Sequence, residues 1–389
     1  MVGRTDANDR CHFVQWFIRL ICGMIALAAP AVARADDDKA SADLRYTTDI
    51  MGVAAGGERR RVRWMGRLDL DLDSGIDLFG VEGAHAHADI FLLHGGGFSA
   101  RDAGDAQVVS NIDAPYAVRP FEAWVEAPLG GGVRAKAGLI DLNSEFDVQS
   151  VGALFLNSSF GIAPDYSQSG LNGPSIFPVT SPGVIVALER PRWTVRTAMF
   201  DALPGDPNHP HRALPGPFGR GGALLSSEGE VKIGDSGELQ MGAWFYTDRF
   251  ARLDGNGRGR SAGAYVQYEQ RLAGDEKTGA LRGWLRAGRA ATDVNEIGLY
   301  LGGGFSWGTD DRSYGIAVAH ARLGDPALRA FALDLTPRRR AETTIEVTAA
   351  RRLTDWLKVQ PDLQYVRRPS WGAAADALVL GLRLHFAVK

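Results

Sequence analysis

The sequence predicts an all-β fold, an antiparallel transmembrane β-barrel of about 16 strands with short periplasmic turns and long external loops. The first observation behind this prediction is the alternation along residues 376–386, where one face is apolar and the other is mixed. The apolar face consists of Leu378, Leu380, Leu382, Leu384 and Phe386, and the opposite face of Val379, Gly381, Arg383 and His385. A soluble sheet would turn the apolar face inward, whereas a transmembrane barrel turns it toward lipid.

The second observation is the order of the connections between candidate strands, which alternate between short and long. The short connections are residues 73–75, 129–132, 190–191, 234–237, 308–312 and 354–355. The long connections are residues 94–117, 142–182, 201–220, 249–260 and 323–341. Counted back from the last strand, every short connection falls on the side that holds both termini, as in bacterial outer-membrane barrels. A soluble sandwich has no reason to keep this order.

The third observation is a predicted signal peptide at residues 1–35. Arg19 precedes the apolar run Leu20–Pro30, and small residues surround a cleavage point at Ala33-Arg34-Ala35. The alternative interpretation is a short buried helix. The mature chain, 36–389, is then a single barrel domain that lacks cysteine, because Cys11 and Cys22 both lie in the removed part. It also lacks an apolar run of the about 20 residues that a spanning helix needs.

Sixteen segments have strand-like patterns. In order they are residues 44–54, 62–73, 79–93, 118–127, 132–141, 183–190, 192–200, 221–232, 238–248, 261–272, 280–290, 297–307, 313–322, 342–352, 356–366 and 376–386. The first is weakly patterned, and the sixth and seventh are short. In the second, Val62, Trp64 and Leu68 oppose Arg63 and Arg67, and the ninth, fourteenth and fifteenth alternate in the same way.

The longest connection, residues 142–182, is predicted to carry function because long aperiodic loops are unusual in compact domains unless they do. We expect it to fold into the lumen as a constriction loop. An external cap that leaves the pore width unchanged is the alternative. Asp141, Glu145 and Asp147 stand at its start and are candidate lining residues.

Strand parity supplies the other candidate pore-lining and substrate-binding residues. On the fourth strand Phe121, Ala123, Val125 and Ala127 are expected to face lipid, which turns the residues between them toward the lumen. The candidate lumen residues are Arg63, Arg67, Asp69, Glu122, Trp124, Glu126, Arg134 and Lys136, with Asp141 and Glu145 from the long loop. Cross-strand pairs of Glu122 or Glu126 with Arg134 or Lys136 are expected, because the fourth and fifth strands form a hairpin. Simple solvation of these charges on a wide wall is the alternative for each.

Other motifs favour no catalytic or metal site and no cofactor. His85, His87 and Asp89 have a metal-ligand spacing, but strand alternation accounts for it by placing them on one wall. Gly234-Asp235-Ser236-Gly237 resembles a serine nucleophile loop, yet it lies between two alternating strands and is typical of a hairpin turn. The formal net charge of −3 is too mild to indicate a nucleic-acid partner.

A set of segments resembles a known family. The segments are Gly104–Ile112, Phe121–Glu126, Ala137–Asp147, Phe155–Gly161, Gly173-Pro174, Pro178, Pro182-Gly183, Phe200-Asp201 and Pro204–Pro207. Together they resemble the carbohydrate-selective porins of the OprB family. The resemblance implies a sixteen-stranded outer-membrane channel that passes sugars by diffusion. The chain departs from it at the C-terminus, where Ala387-Val388-Lys389 follows Phe386 and puts recognition by the assembly machinery in question.

Three functions remain open at this stage. The first is a channel for passive diffusion of carbohydrates, monosaccharides such as glucose among them. The second is a porin for another solute class, anions or organic acids. The third is an outer-membrane barrel enzyme such as a lipase. The expected partners are permeating sugars, outer-membrane lipid and the barrel-assembly machinery, and the sequence leaves open whether the protein is a monomer or a homo-oligomer.

Overall fold

The protein is a closed antiparallel barrel of sixteen strands, which confirms the predicted fold class. The computed structural model describes residues 40–76, 78, 80–211 and 222–388. Each strand pairs with its neighbours in sequence, and the last strand pairs with the first along residues 44–57 and 375–388. The ring therefore has no free edge, and its backbone groups are satisfied between strands. The predicted signal peptide lies outside the described residues.

The first eight strands are β1 Ala40–Gly57, β2 Val62–Gly75, β3 His85–His94, β4 Ala117–Gly130, β5 Val133–Ile140, β6 Ser181–Arg190, β7 Trp193–Asp201 and β8 Ala223–Ile233. The second eight are β9 Gly237–Ala251, β10 Arg258–Asp275, β11 Gly279–Ala290, β12 Ile297–Gly308, β13 Arg312–Leu323, β14 Ala341–Thr354, β15 Leu357–Arg367 and β16 Ala375–Val388.

All sixteen predicted strands are present, although their bounds differ from the predicted ones, most of all in the first, third and tenth. The first, expected to be weak, runs from Ala40 to Gly57. The third begins at His85 and not at residue 79. Gly80 and Gly83 have φ angles of 79° and 81°, a left-handed conformation that departs from the extended backbone of a strand and that glycine adopts without strain. The chain therefore turns through this segment before β3 begins.

The outward face of the barrel is apolar and exposed, as the alternation predicts. Leu285 is 69% exposed and Leu380 is 52% exposed, whereas Val379 and Trp284, one position away, are 0% and 2% exposed. The apolar side chains on the outside thus form the surface that a lipid bilayer would cover.

A β-bulge in β4 corrects the predicted parity at Phe121. Asp89 pairs with Glu122, but the next residue of β3, Ile90, pairs with Pro120. Phe121 is therefore the extra residue, and it turns inward beside Glu122. It is 3% exposed and packs against Phe91. The prediction that Phe121 faces lipid is wrong, because a bulge shifts the alternation by one residue.

Helices are confined to the connections. They are α1 Pro164–Ser167, α2 Asp325–Leu333 and α3 Pro369–Gly372, with single turns at Ser99–Ala103, Leu142–Ser144, Gly152–Leu154 and Ser158–Phe160. Among the residues that the structure describes, no helix is both long and apolar enough to cross a membrane. The predicted long connection at 201–220 is described only as far as residue 211.

Candidate functional site in the barrel lumen

The connection between β5 and β6, residues 141–180, lies inside the barrel and is called loop three below. Its side chains pack on inward-facing aromatic residues of the distant wall. The Tyr166 ring stacks on Trp244 of β9 with 4.9 Å between ring centroids, and the ring centroids of Phe155 and Trp284 of β11 lie 6.3 Å apart. Tyr166 and Phe155 are 0% and 1% exposed. Loop three thus crosses the lumen and contacts the wall opposite its own strands.

A second connection, residues 95–116 between β3 and β4, also folds inward and is called loop two. Phe98, Val109 and Ile112 pack against Met51, Met65 and Val379 of β1, β2 and β16. The two loops also contact each other, because the amide of Asn111 donates to the carbonyl of Leu156 at 2.7 Å. The sequence pattern does not predict this second inward loop. Its apolar residues are too few and too irregularly spaced to show which face they cover.

Glutamates on the barrel wall accept hydrogen bonds from the loop backbone. Along loop three, Glu122 of β4 accepts from the amide of Asp141 at 3.0 Å and Glu228 of β8 from that of Asp147 at 2.9 Å. Farther along, Glu269 of β10 accepts from the amide of Val151 at 3.0 Å, and Glu346 of β14 accepts from those of Leu156 and Asn157 at 2.6 and 3.0 Å.

In loop two, Glu342 of β14 accepts from the amides of Ala106 and Gln107 at 2.9 and 3.0 Å. These side-chain oxygens satisfy backbone donors that would otherwise be buried without a partner. The wall carboxylates therefore fix the course of both loops across the lumen.

A buried ion cluster anchors the middle of loop three. Arg286 of β11 lies 2.8 Å from Asp147 and 2.8 Å from Asp165, and all three side chains are fully buried. Burial raises the pKa of Asp165 to about 6, although the charge of Arg286 acts in the opposite direction. A buried charge without its partner is strongly destabilising, so this cluster holds the loop against β11.

The predicted charges of β4 and β5 form a network with the start of loop three. Arg134 lies 2.8 Å from Glu126, 2.6 Å from Glu145 and 2.6 Å from Glu189. Lys136 lies 2.5 Å from Glu145 and 3.4 Å from Glu126. The glutamate of β4 that pairs with Arg134 and Lys136 across the strands is therefore Glu126. Glu122 pairs with neither cation and instead accepts a hydrogen bond from the backbone of loop three.

Trp124 lies within the same wall and is contacted from both neighbouring strands. His87 of β3 stacks on it with 5.0 Å between centroids, and the Lys136 ammonium lies 4.1 Å from its ring centroid. Its indole N–H donates to Glu122 at 3.1 Å. A cation above an aromatic ring is a favourable contact, so His87 and Lys136 occupy much of the apolar surface of the Trp124 ring.

Arg67 of β2 projects from the wall toward both loops. Its guanidinium lies 2.5 Å from Asp69 and 3.0 Å from Asp89, so its charge is balanced. The guanidinium carbon also lies 5.1 Å from the Phe121 ring centroid and 5.2 Å from that of Phe177 in loop three. Arg63 lies four residues before Arg67 on the same face of β2, and it pairs with Asp102 of loop two. Arg63 is thus a loop anchor, whereas Arg67 retains contact with open space.

That open space is a cleft of about 400 Å³ between the two loops and β2. Its polar lining is Arg67, Gln107, Asn111, Asp113, Asp141, Asn143, Ser158 and Gln168, and its apolar lining includes Ile162 and Phe177. A second cavity of about 490 Å³ lies toward the short turns, between loop three and β7–β11, and includes Glu145, Arg196 and Gln240. Of the predicted site residues, Arg67, Asp141 and Glu145 line these two spaces.

The other predicted site residues lie in the wall around these cavities and bind one another or the loops. Among the described residues, no group of three or more His, Cys, Asp and Glu side chains is arranged to hold a metal ion. The inward ion pair of Asp49 with Arg383, at 2.7 Å, and, apart from Asp147, the Arg286 cluster were not among the predicted sites. Strand alternation alone places Arg383 in the lumen. Its contacts and those of Arg286 become visible only once the positions of the loops are known.

A sixteen-stranded closed barrel whose loops cross a polar lumen defines the class of general and solute-selective porins. A sequence model described as "Carbohydrate-selective porin, OprB family" matches residues 59–387. The chain therefore belongs to the carbohydrate-selective porin family OprB, and it is an outer-membrane channel for carbohydrates.

Solved structures share the fold. A high-pH structure of Pseudomonas putida OprB has a TM-score of 0.78 at 17% identity, covering 90% of this chain and 95% of that one. A low-pH structure of the same protein has a TM-score of 0.57 at 15% identity, covering 90% and 93%. A triple mutant of the Rhodopseudomonas blastica porin has a TM-score of 0.51 at 10% identity, covering 90% and 100%. The comparison with curated proteins found no match.

Proposed function

We propose that monosaccharides such as glucose cross by passive diffusion through the cleft between loop two and loop three. The observation that carries this proposal is the lining of the cleft, in which amide, hydroxyl and carboxylate groups surround a space of about 400 Å³. A sugar entering a narrow passage loses water, and such groups replace the lost hydrogen bonds. Phe177 and Ile162 offer apolar surface to the apolar faces of the sugar ring.

The balanced charge of Arg67 favours neutral solutes. Its two carboxylate partners, Asp69 and Asp89, lie within 3.0 Å. The guanidinium can therefore donate to sugar hydroxyls without presenting a net positive charge that would favour anions. Loop three narrows the lumen in this proposal, and the alternative of an external cap is disfavoured by its contacts with Trp244 and Trp284.

The remaining parts of the proposal concern export and assembly. Residues 1–35 direct export and are removed, the assembly machinery inserts the barrel into the outer membrane, and the lipid-facing strands contact outer-membrane lipid. The protein performs no catalysis in this proposal, which its membership in a channel family supports. A homo-oligomer is compatible with it, because each barrel has its own passage.

Single-channel conductance in planar bilayers with graded glucose tests this proposal. Glucose is expected to reduce the ion current in a saturable manner, since a bound sugar occupies the cleft. Gluconate, an anion of similar size, is the control and is expected to reduce the current less. Stronger block by gluconate than by glucose would show that the channel serves anions.

A further inference from the structure

Five arginines lie at the external ends of four strands of the barrel wall. They are Arg249 on β9, Arg258 and Arg260 on β10, Arg289 on β11 and Arg322 on β13, and all five are exposed. They are called the arginine belt below. The external end is the end opposite the short turns and the termini.

The arginine belt faces outward, away from the lumen. Strand alternation places Arg249 on the same face as Phe245, and Arg289 on the same face as Leu285, which are 39% and 69% exposed. Trp244 and Arg286, on the opposite face of these strands, are each 2% exposed. The belt therefore continues the apolar outer surface toward the external rim.

The arginines are close enough to act together. The register pairs Arg249 directly with Arg260, and the Arg258 side chain donates to the Arg249 carbonyl at 3.0 Å. Like charges directly opposite each other on one face of a sheet are destabilising. Arg289 of β11 and Arg322 of β13 both pair with Leu299 of β12, which lies between them. Because neighbouring strands lie about 4.8 Å apart, the backbones of the two arginines are about 10 Å apart.

Within the described part of the chain no carboxylate forms an ion pair with Arg249, Arg258, Arg260 or Arg289, and Asp325, the carboxylate that interacts with Arg322, is already paired with Arg340. The ion pairs at this rim join Arg252 to Asp293 at 3.3 Å and Arg340 to Asp325 at 2.5 Å. None of the five belt arginines forms an ion pair with another described residue. An opposed arginine pair with no carboxylate is stabilised if an anion lies between the two guanidinium groups.

We propose that the arginine belt binds the phosphate groups of an anionic lipid in the outer leaflet. Outward residues above an apolar band lie at the level of the lipid headgroups. The guanidinium group donates two parallel hydrogen bonds to one phosphate, which makes arginine suited to this contact. The acyl chains of the same lipid would lie along the exposed apolar residues below the belt, Met241, Phe245 and Val266 among them.

Lipid A titration of the folded barrel in neutral detergent tests the proposal. The probes are diphosphorylated lipid A and its dephosphorylated form, with binding read by native mass spectrometry. The double variant Arg249→Gln with Arg260→Gln is expected to bind diphosphorylated lipid A about tenfold more weakly than the wild type, because two cations near an anionic headgroup are lost. Dephosphorylated lipid A is expected to bind both proteins equally weakly.

The matched control removes two charges at the same end of the barrel but in a turn. Arg59→Gln with Arg60→Gln changes exposed residues between β1 and β2 and is expected to leave the affinity within about twofold of the wild type. Heat-dependent gel migration verifies that each variant is folded. Equal weakening by both double variants, or unchanged affinity in the belt variant, would overturn the proposal.

Discussion

The two sides of the lumen wall carry the same kind of inward polar residues and use them differently. On β4 and β5, Glu126, Arg134 and Lys136 pair mainly with one another and with Glu145 at the edge of loop three. On β8–β14, Glu228 and Glu346 bind the backbone of loop three. A side chain that faces the lumen therefore lines the passage only where no loop lies over it.

This difference assigns distinct roles to the two walls. The β8–β14 wall determines where loop three lies, and hence the width of the passage. In the proposed passage, the β2–β5 wall and the loops supply the groups that a sugar meets. Variants of the first wall should change conductance and stability, whereas variants of the second should change sugar affinity at constant conductance.

Replacing Arg286 is expected to have the largest effect. Arg286→Ala leaves Asp147 and Asp165 buried without a cation, at a cost of about 3–5 kcal/mol. Loop three should detach from β11, so single-channel conductance should rise and the urea midpoint in detergent should fall. Arg282→Gln on the same strand is the control, because Arg282 is 33% exposed and its pair with Glu276 contributes little. Unchanged conductance in Arg286→Ala would contradict the anchoring role.

Glu346→Gln should have a smaller effect of the same kind. The two amides donate to different oxygens of Glu346, and glutamine keeps only one acceptor oxygen, so one buried amide loses its partner at a cost of about 1–3 kcal/mol. Hydrogen exchange at the amides of Leu156 and Asn157 should accelerate, and the open-channel current should become noisier. Glu189→Gln on β6 provides the comparison, since Glu189 pairs with Arg134 and not with the loop backbone. If the amides of Leu156 and Asn157 exchange at the wild-type rate in both variants, Glu346 does not hold the backbone of loop three.

Arg67→Gln should weaken glucose block, and it should also lower the urea midpoint, because it leaves the buried carboxylates of Asp69 and Asp89 without their cation. Losing a charged donor to a sugar hydroxyl costs about 1.5–3 kcal/mol, or roughly tenfold or more in affinity. The measurement is the glucose concentration that halves the current. Asp254→Asn, in the exposed turn between β9 and β10, should leave that concentration unchanged. A larger effect from Asp254→Asn would place the selective site at the mouth.

Trp124→Ala is expected to have the smallest effect on sugar block. His87 and Lys136 contact the indole ring, so a sugar has limited access to its surface. The half-blocking glucose concentration should shift less than in Arg67→Gln. A shift as large as that of Arg67→Gln would show that the sugar contacts the Trp124 ring directly.

The barrel could be predicted from the sequence because its pattern is local. Alternation along a strand and the length of each turn are visible in a few consecutive residues, as in residues 376–386. The exceptions are also local in cause, since the bulge at Phe121 and the glycines at 80 and 83 interrupt the pattern without a signal in hydrophobicity. Parity therefore identified the lumen side of most strands.

The site could be predicted only in part, because it depends on contacts between residues distant in sequence. Strand alternation identified Arg67, Glu126 and Arg134 as lumen residues. It could not show that loop two covers Val379, or that Glu346 accepts a hydrogen bond from the amide of Leu156. Val379 faces the lumen as predicted, yet it is buried beneath a loop and does not contact water. Loop positions are fixed by such long-range contacts and not by periodicity.

The attachment of both loops to β14 has a consequence for the order of assembly. Glu342 and Glu346 are separated by 236 and 190 residues from the amides of Ala106 and Leu156 that they bind. Contacts of large sequence separation form late and slow the folding of a chain. The loops acquire their final positions only when the last third of the chain is present, so the passage narrows at the same stage at which β16 closes the ring on β1.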